Sequence, residues 1–433
     1  MYSAALRPST LAAFFCGMSR RAFLALGMRS LFGGALASVF APLRRAFADT
    51  AATPRYFRRI VARDNRSAAM IEWQSDEALS QPKFFWREEG GKTERLADVD
   101  VKYFALDGHP VFVYRAALSG LAEGKRVVCR LETAGRDAGA FAFQTDGGNM
   151  VKALIFPDSQ CANGYDTWAR VCGEAAARCS DAALWVNMGD LVDNGASFYH
   201  WDGWQAATDA ALGGRAFAPV MGNHECYSME WEYCRPDAFC SLFATPGNGS
   251  ANYRRYYYSF DYGPVHFTVL NTQKEELDAL APGLFAEQAV WLARDLAATK
   301  QPWRVALLHR DLIDYDAEPM ARDPFVETLV PVLEAGGVDA ALTAHVHAYR
   351  RRRLRAWRKA QDGVLYILTG NAGNCFYEVG QHELDEVAFP SNVLNFLTLE
   401  ADETRMAFRC FLPNGLLKDF VTLRKRRDAK EEG

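Results

Sequence analysis

The chain has 433 residues, of which 49% are hydrophobic and 24% are charged. This composition excludes a mainly disordered protein, and the length allows two or three domains, because single cores rarely grow beyond about 250–300 residues. The net charge of −4 is unevenly distributed: residues 1–48 contain six arginines and no acidic residue, which leaves −10 for the remainder. Such an acidic body argues against a nucleic-acid-binding surface.

Residues 1–48 have the features of an export signal. Residues 19–24, Ser-Arg-Arg-Ala-Phe-Leu, resemble the twin-arginine motif, and Ala46-Phe47-Ala48 is typical of a cleavage site. Arg29 divides the apolar stretch between them into pieces too short to cross a bilayer of about 30 Å. We therefore predict a cleaved signal, a translocase for folded proteins as partner, a periplasmic or secreted location and no stable membrane span after cleavage.

Nine cysteines remain after Cys16, and none of them forms a Cys-x-x-Cys motif. This argues against a structural zinc site or a thioredoxin-type site. Two interpretations stay open for the two local groups, 161/172/179 and 226/234/240. They form short-loop disulfides in an oxidising compartment, or they are buried free thiols.

Residues 55–146 are predicted to form an antiparallel β-sandwich. Turn residues separate short β-rich runs, which lie at 69–73, 83–86, 111–114, 126–131 and 141–143. No run carries a pattern of ligands or nucleophiles. Gly147 and Gly148 mark the predicted end of this domain.

From Met150 onward, apolar strands alternate with helical stretches, which is typical of a layered α/β domain. Polar residues follow five of these strands: Asp158, Gly189-Asp190-x-x-Asp193, Gly222-Asn223-His224-Glu225, His309 and His345-Val346-His347. In layered α/β folds, ligands bind outside the carboxyl ends of the strands. The sequence therefore predicts that these side chains meet at one rim.

The residue types at this rim suit two divalent or trivalent metal ions. Carboxylates and an asparagine supply oxygen, imidazoles supply nitrogen, and no thiolate is included. Asp190 has two carboxylate oxygens and is the candidate for bridging both ions. His345 and His347 point to opposite sides if the chain is extended there, so that they serve different metals. Glycines at 189 and 222 allow sharp turns off the strands.

This series of motifs resembles the calcineurin-like metallophosphoesterases. The His-Val-His-Ala-Tyr sequence at 345–349, Asn-Ala-Gly-Asn at 371–374 and the preceding sandwich are similar to the purple acid phosphatase-like branch. The resemblance implies an α/β (α+β) four-layer sandwich of mixed sheets flanked by helices over residues 150–425. It also implies a preceding all-β fibronectin type III-like domain over 55–146.

The resemblance implies roles for the rim residues. Asp190 bridges the metals, Asp158 and His347 hold one ion, and the other ion is held by Asn223, His309 and His345. The family hydrolyses phosphate esters, with a hydroxide formed at the two ions attacking phosphorus in line with the leaving group. The resemblance gives His224 the role of stabilising the transition state or protonating the leaving oxygen, and it adds Tyr349 to the predicted substrate contacts.

Three positions depart from the family pattern. Asp193 stands where purple acid phosphatases have a tyrosine, which predicts a protein without the tyrosinate–iron colour and a second carboxylate that holds the His224 imidazole rather than a metal. Gln160 stands where many relatives have histidine, and its amide oxygen is a weak ligand or the position is vacant. Ala344 replaces a glycine, which is tolerated if its φ is negative.

The predicted function is hydrolysis of small phosphate monoesters in the manner of acid phosphatases, with Fe, Zn or Mn in the site. A phosphodiesterase or nucleotide hydrolase with the same site is the alternative. A binding module with an inert site is the third interpretation, which the intact ligand set disfavours. The aromatic-rich segment 226–258 either packs as a long loop or stacks against an aromatic leaving group.

Overall fold

The structure is a computed structural model, and it describes residues 52–425 except 316, 318 and 391. The export signal predicted at 1–48 therefore lies outside the described residues. Within the described part of the chain, no helix is long and apolar enough to cross a membrane.

The first part of the described chain contains strands only. Its eight strands are β1 (Arg55–Ile60), β2 (Ala68–Ser75), β3 (Lys83–Glu88), β4 (Arg95–Ala97), β5 (Val99–Leu106), β6 (His109–Ser119), β7 (Arg126–Thr133) and β8 (Arg136–Gln144). The five β-rich runs predicted from the sequence lie within β2, β3, β6, β7 and β8.

Two groups of strands pack face to face in this region. Strands β4, β3, β7 and β8 form a four-stranded antiparallel sheet, in that order, whose apolar side chains share a core with those of β2 and β6. Trp73 is fully buried at its centre, with its ring stacked 5.1 Å from Phe84 and 5.7 Å from Tyr114. The fibronectin type III-like assignment itself stays a prediction.

The second part alternates strands and helices. Its strands are β9 (Met150–Phe156), β10 (Leu184–Asn187), β11 (Ala216–Pro219), β12 (Tyr258–Tyr262), β13 (Val265–Val269), β14 (Trp303–Leu307), β15 (Ile313–Asp314), β16 (Ala321–Arg322), β17 (Ala340–Thr343), β18 (Tyr349–Arg355), β19 (Arg358–Lys359), β20 (Val364–Thr369), β21 (Val387–Ala388), β22 (Phe396–Asp402), β23 (Arg405–Phe411) and β24 (Leu417–Arg424). Its helices are α1 (Asp166–Arg178), α2 (Phe198–Leu212), α3 (Asp237–Leu242), α4 (Lys274–Leu277), α5 (Leu284–Ala298) and α6 (Val326–Ala335), with a short 3-10 turn at His224–Cys226.

Two large mixed sheets carry the fold. The first has ten strands in the order β24-β23-β22-β9-β10-β11-β1-β2-β6-β5. The second has the order β12-β13-β14-β17-β20-β18-β19, with β21 paired to β18. Strands β9, β10 and β11 are parallel, as are β13, β14, β17 and β20. Their nearly continuous apolar sequences are those of strands buried on both faces.

These sheets form the two inner layers of a four-layer arrangement. An apolar core fills the space between them, with Val186 and Leu342 among its fully buried members. Helices α1 and α2 cover the outer face of the first sheet, where Trp168 and Trp204 are buried. Helices α5 and α6 cover the outer face of the second. The predicted mixed α/β fold is confirmed.

The first sheet differs from the prediction at one point, because it continues into the N-terminal strands. Strand β1 pairs in parallel with β11, with Arg59 opposite Ala216 and Ile60 opposite Phe217, and β2 follows β1 antiparallel. The regions predicted as two domains thus share a sheet, and the predicted boundary at Gly147 and Gly148 stays a prediction.

Candidate metal centre

The five polar strand ends meet at one rim of the two sheets. Asp158 follows β9, Asp190 follows β10, and Asn223 with His224 follows β11 of the first sheet. His309 follows β14, and the residues 345–347 follow β17 of the second. The parallel strands place all these carboxyl ends on the same side, as expected for a binding site in a layered α/β fold.

One group of candidate ligands consists of Asp158, Asp190 and His347, whose ligand atoms lie within 4.8 Å of one another. All three residues are buried. His347 Nε2 is 3.7 Å from Asp158 Oδ1. The amide nitrogen of Gln160 is 3.0 Å from His347 Nε2 and donates to Asp190 Oδ2 at 3.4 Å. The structure therefore brings Gln160 to this group.

A second group consists of Asp190, His309 and His345, again within 4.8 Å of one another. His309 Nε2 is 3.2 Å from Asp190 Oδ2 and 3.1 Å from Asn223 Oδ1. Asn223 therefore adds its side-chain oxygen to this group. Asp190 is common to both groups, and the division of the ligands is the one that the family resemblance implies.

Hydrogen bonds orient the imidazoles so that one nitrogen of each faces the centre. His309 Nδ1 donates to the Met188 carbonyl at 2.9 Å, and His347 Nδ1 donates to the Cys375 carbonyl at 2.7 Å, which leaves both Nε2 atoms for ligation. His345 Nδ1 and Gln160 Oε1 are buried without a hydrogen-bond partner. An unsatisfied buried polar atom costs about 1–3 kcal/mol, so two such atoms beside the carboxylates fit a site for metal cations.

The ionisable groups of the centre shift one another's pKa values. Burial, followed by the charge of Asp190, raises the pKa of Asp158 to about 7. Burial acts in the same direction on Asp190, but the charges of His309 and His224 outweigh it and hold its pKa well below the usual range. Burial lowers the pKa of His347 to about 4, so that its imidazole is neutral. Metal ligation requires carboxylates and neutral imidazoles. Burial therefore favours the ligating form of His347. Burial acts in the same direction on His309, but the charge of Asp190 outweighs it and raises the pKa of His309 to about 9, so this imidazole has to lose a proton when a metal binds.

The backbone at the rim is strained in a way that the sequence did not predict. The φ angles of Asp190, His345 and His347 are 45°, 76° and 54°, in the left-handed region that costs non-glycine residues roughly 1–2 kcal/mol each. His345 and His347 lie in different groups of candidate ligands, although the chain is not extended at either residue. The Asp158 carboxylate accepts the His345 N–H at 3.0 Å and supports this conformation.

Two glycines allow the strand ends to approach each other. Gly189 has φ of 100°, and a Cβ there would collide with the His309 imidazole. A Cβ on Gly222 would collide with the Asp190 carboxylate and its backbone nitrogen. Both positions thus require glycine for packing between strand ends.

Glu225 is a residue of the centre to which the sequence analysis gave no role. Its buried carboxylate accepts the backbone N–H groups of Gly222 at 2.7 Å, Leu191 at 2.8 Å and Asp190 at 3.1 Å. It therefore ties the loop after β10 to the loop after β11. Burial, followed by the charge of Asp190, raises its pKa to about 7. The signal available in the sequence was an acidic residue directly after Asn-His.

His224 lies at the mouth of the centre, with 15% of its side chain exposed. Its Nε2 is 3.9 Å from Asp190 Oδ2, and its Nδ1 donates to the backbone carbonyl of Asp193 at 2.6 Å. The Asp193 carboxylate is farther away, at 3.9 Å from the same nitrogen. Residue 193 thus orients the imidazole through its main chain, which differs from the predicted use of its carboxylate.

The structure does not bring Tyr349 to the centre. Tyr349 begins β18 and is 4% exposed, with its ring stacked on Phe389 and its hydroxyl donating to Asp419 at 2.9 Å. The prediction that it contacts substrate is not supported, because its side chain points into the core.

The nine cysteines in the described part of the chain have free thiols, which is the second of the two interpretations above.

Two ligand groups that share a carboxylate, at the carboxyl ends of parallel strands, define a candidate binuclear site of the metallophosphoesterase type. Residues 151–349 match the family model described as Calcineurin-like phosphoesterase. This match spans 199 of the 433 residues, and over these residues the chain is similar to the calcineurin-like phosphoesterases.

Curated relatives and solved structures are also similar to parts of this chain. Purple acid phosphatase 15 of Arabidopsis thaliana is 31% identical over 179 residues, 40% of this chain and 32% of that protein. Purple acid phosphatase 18 of the same plant is 27% identical over 49% of this chain and 48% of that protein. The chain thus spans between a third and a half of the length of these curated relatives.

The structure of purple acid phosphatase PPD1 from yellow lupin seeds matches 86% of this chain and 74% of its own, with a TM-score of 0.74 and 19% identity. The structure of PhoD matches 83% of this chain and 88% of its own, with a TM-score of 0.60 and 13% identity. At these identities the matches show the fold alone. Purple acid phosphatase 9 of Arabidopsis thaliana, 24% identical over 54% of this chain, is named as probably inactive, so activity has to be argued from the site.

Proposed function

We propose that this protein is a metal-dependent phosphoesterase that hydrolyses phosphate monoesters. The observation that carries the proposal is the position of Asp190, which belongs to both groups of candidate ligands. The same carboxylate can contact two ions only if both groups lie against it, which is the arrangement of two-metal hydrolases.

In this proposal, Asp158 and His347 would hold one ion, Asn223, His309 and His345 would hold the other, and Asp190 would be a ligand of both. Fe, Zn and Mn all suit this mixture of oxygen and imidazole ligands. When bound, the two ions lower the pKa of water and neutralise the charge of the phosphoryl oxygens. Gln160 lies within reach of the first ion, and Asp193 acts on His224 rather than on a metal.

In this proposal, His224 donates a proton to the leaving group. Because its Nδ1–H donates to the Asp193 carbonyl, its orientation is fixed and Nε2 is the nitrogen that faces Asp190. A protonated Nε2 can donate to an oxygen of the ester and deliver the proton when the ester bond breaks. Glu225 keeps this geometry in place by holding the loops of Asp190 and Asn223 together.

The proposed cellular setting is the periplasm or the exterior, reached through a translocase for folded proteins. The support is the sequence of residues 1–48. Changing both Arg20 and Arg21 to Lys should retain the precursor in the cytoplasm, as measured by cell fractionation. Arg44 and Arg45, changed together to Lys, provide the matched control, since they lie outside the twin-arginine motif.

The decisive experiment compares hydrolysis of p-nitrophenyl phosphate and of its bis ester, with and without Mn, Zn or Fe. We expect the monoester to be the better substrate and Asp190→Asn to reduce kcat/KM about 10³-fold, because both ions lose their common ligand. Asp181→Asn is the matched control, since this carboxylate is 63% exposed on the surface.

Three other results would each change the conclusion. Faster hydrolysis of the bis ester would make the protein a phosphodiesterase. Failure to bind metal would indicate an inert module in which the sandwich is the functional part. Full activity in Asp190→Asn, His224→Ala and His309→Ala together would disprove the mechanism.

A further inference from the structure

Three aromatic side chains stand at the mouth of the metal centre, and the proposed mechanism does not use them. They form an aromatic rim made of Tyr227, Trp231 and Tyr377. Trp231 meets the His224 ring edge-on, with 5.9 Å between centroids and 89° between planes. Tyr377 lies against the His347 ring with a centroid distance of 4.6 Å. The rim therefore touches His347, a member of the first ligand group, and His224, which lies beside the shared Asp190.

Two members of the rim are unusually exposed for large aromatic side chains. Trp231 is 46% exposed and Tyr377 is 49% exposed. The Tyr227 ring packs against the rings of both Trp231 and Tyr233, with centroid distances of 5.8 and 5.7 Å. Exposed apolar surface next to a buried polar centre is typical of a ligand-binding surface.

The loop that carries Trp231 is held in a fixed, strained shape. Trp231 has φ of 63°, which is rare for a bulky residue. The Ser228 hydroxyl accepts the N–H groups of Glu230 and Glu232, both at 3.2 Å, and the Ser228 carbonyl accepts the Trp231 N–H at 3.0 Å. The Asn194 side chain also donates to this carbonyl, at 2.8 Å, and ties the loop to the His224 side of the centre. A strained aromatic held in place next to a catalytic imidazole indicates a functional constraint.

The charges around the rim narrow the class of ligand. Glu230 and Glu232 flank Trp231 and are exposed, and Tyr233 donates to Glu275 at 2.7 Å. Arg310, the residue after His309, is paired with Glu276 at 2.6 Å and with Glu275 at 3.5 Å. These carboxylates would repel a leaving group that carries further phosphates, whereas they would not repel an uncharged ring.

We infer that the aromatic rim is a subsite for an uncharged, planar aromatic leaving group, so that the substrates are aryl-type phosphate monoesters. The inference rests on the proposed function, because it places the leaving group next to His224. The ring stacks on Trp231 while the phosphate enters the centre, and Tyr377 covers the opposite, His347 side of the mouth.

The test compares phenyl phosphate with an alkyl phosphate whose alcohol is fluorinated to match the acidity of phenol. Trp231→Ala and Tyr377→Ala should each lower kcat/KM for phenyl phosphate about five- to tenfold and leave the alkyl ester within about twofold. Tyr103→Ala, which removes an aromatic ring 57% exposed on β5, should change neither substrate. Equal losses on both esters, or no loss on either, would overturn the inference.

A binding measurement separates this inference from the proposed function. Calorimetry on the metal-loaded protein compares phenylphosphonate with methylphosphonate, neither of which is hydrolysed. Phenylphosphonate should bind the wild type more tightly, and Trp231→Ala should remove most of that difference. If no ester is hydrolysed but this pattern holds, the proposed function fails and the subsite stands. If esters are hydrolysed but the two phosphonates bind equally, only the subsite fails.

Discussion

The bodies of the central strands and their carboxyl ends are built in opposite ways. The bodies of β10 and β17 are regular, fully buried and mostly apolar, and they pack into the core between the sheets. Immediately beyond them, Asp190, His345 and His347 adopt left-handed φ angles, and the polar side chains of Asp190 and His347 are buried. Asp190 lies three residues after the end of β10, and His345 and His347 lie two and four residues after the end of β17.

This contrast shows how the fold can support a strained site. Burial of the apolar core lowers the free energy of the folded state. Part of this free energy offsets the cost of holding residues at the strand ends in conformations that are unfavourable by themselves. Changes at the strand ends should therefore reduce metal binding and activity with little loss of stability. Changes in the strand bodies should reduce stability with little effect on metal binding and activity.

Among changes at the strand ends that leave the candidate ligands themselves in place, the largest effect is expected from Gly222→Ala. The new methyl group would collide with the Asp190 carboxylate and main chain, so the shared ligand has to move. We expect kcat/KM to fall about 10²-fold and metal content to decrease, as measured by kinetics and elemental analysis.

Gly173→Ala is the control for this change, because the glycine lies within helix α1 and a Cβ there would meet no atom within 4 Å. It should leave activity unchanged and slightly favour the helix. A Gly222→Ala protein with normal metal content and activity would contradict the packing described for the centre.

In the strand bodies, Leu342→Ala should lower the free energy of unfolding by about 2–5 kcal/mol without changing kcat/KM of the folded protein. Leu342 is fully buried in β17, one strand residue before the turn that leads to His345. Urea unfolding and steady-state kinetics measure the two quantities. Val290→Ala, on the exposed face of α5, should cost less than about 0.5 kcal/mol. Loss of activity without loss of stability would break the distinction between bodies and ends.

A smaller, pH-dependent effect is expected from a charged group in a strand body. His266 of β13 contacts Asp261 at 2.7 Å and Asp295 at 2.9 Å. Burial opposes its charge, but these carboxylates outweigh burial and raise its pKa to about 9. Because the folded-state pKa exceeds the unfolded value of about 6.5, its contribution is complete below pH 6.5 and is lost as the pH rises through 9.

We therefore expect the wild type to lose about 1–3 kcal/mol more of its free energy of unfolding between pH 6.5 and 9.5 than His266→Gln does. Chemical denaturation at both pH values measures the difference. Identical pH dependence in the two proteins would show that His266 is not charged in the folded state.

The positions of the site residues could be predicted because each follows an apolar run that ends abruptly. A parallel strand places the residues that follow it at the rim of the sheet. The positions of Asp158, Asp190, Asn223, His309 and His345 directly after strands were therefore sufficient to predict that their side chains meet. A layered α/β domain followed from the alternation of such strands with helices, and the four layers were implied by the resemblance to the metallophosphoesterases. Both inferences depend on local pattern and on a general rule of topology.

The remaining features depend on contacts that a local pattern does not contain. Strand β1 pairs with β11, about 157 residues later in the chain, and its arginine-rich sequence gives no sign of a central strand. The hydrogen bond of His224 to the Asp193 carbonyl, rather than to its carboxylate, depends on the backbone conformation of the loop after β10. The burial of Tyr349 depends on Phe389 and Asp419, which come from elements far along the chain.

The pairing of β1 with β11 has a consequence for truncation of the protein. Removing the N-terminal strands would expose the hydrogen-bonding edge of β11, a few residues before Asn223 and His224. An unprotected edge of this kind is a template for aggregation. The N-terminal region is thus an integral part of the first sheet. Strand β1 covers the edge of β11 beside the loop of Asn223 and His224, and a shortened protein that begins after residue 61 would lack this strand.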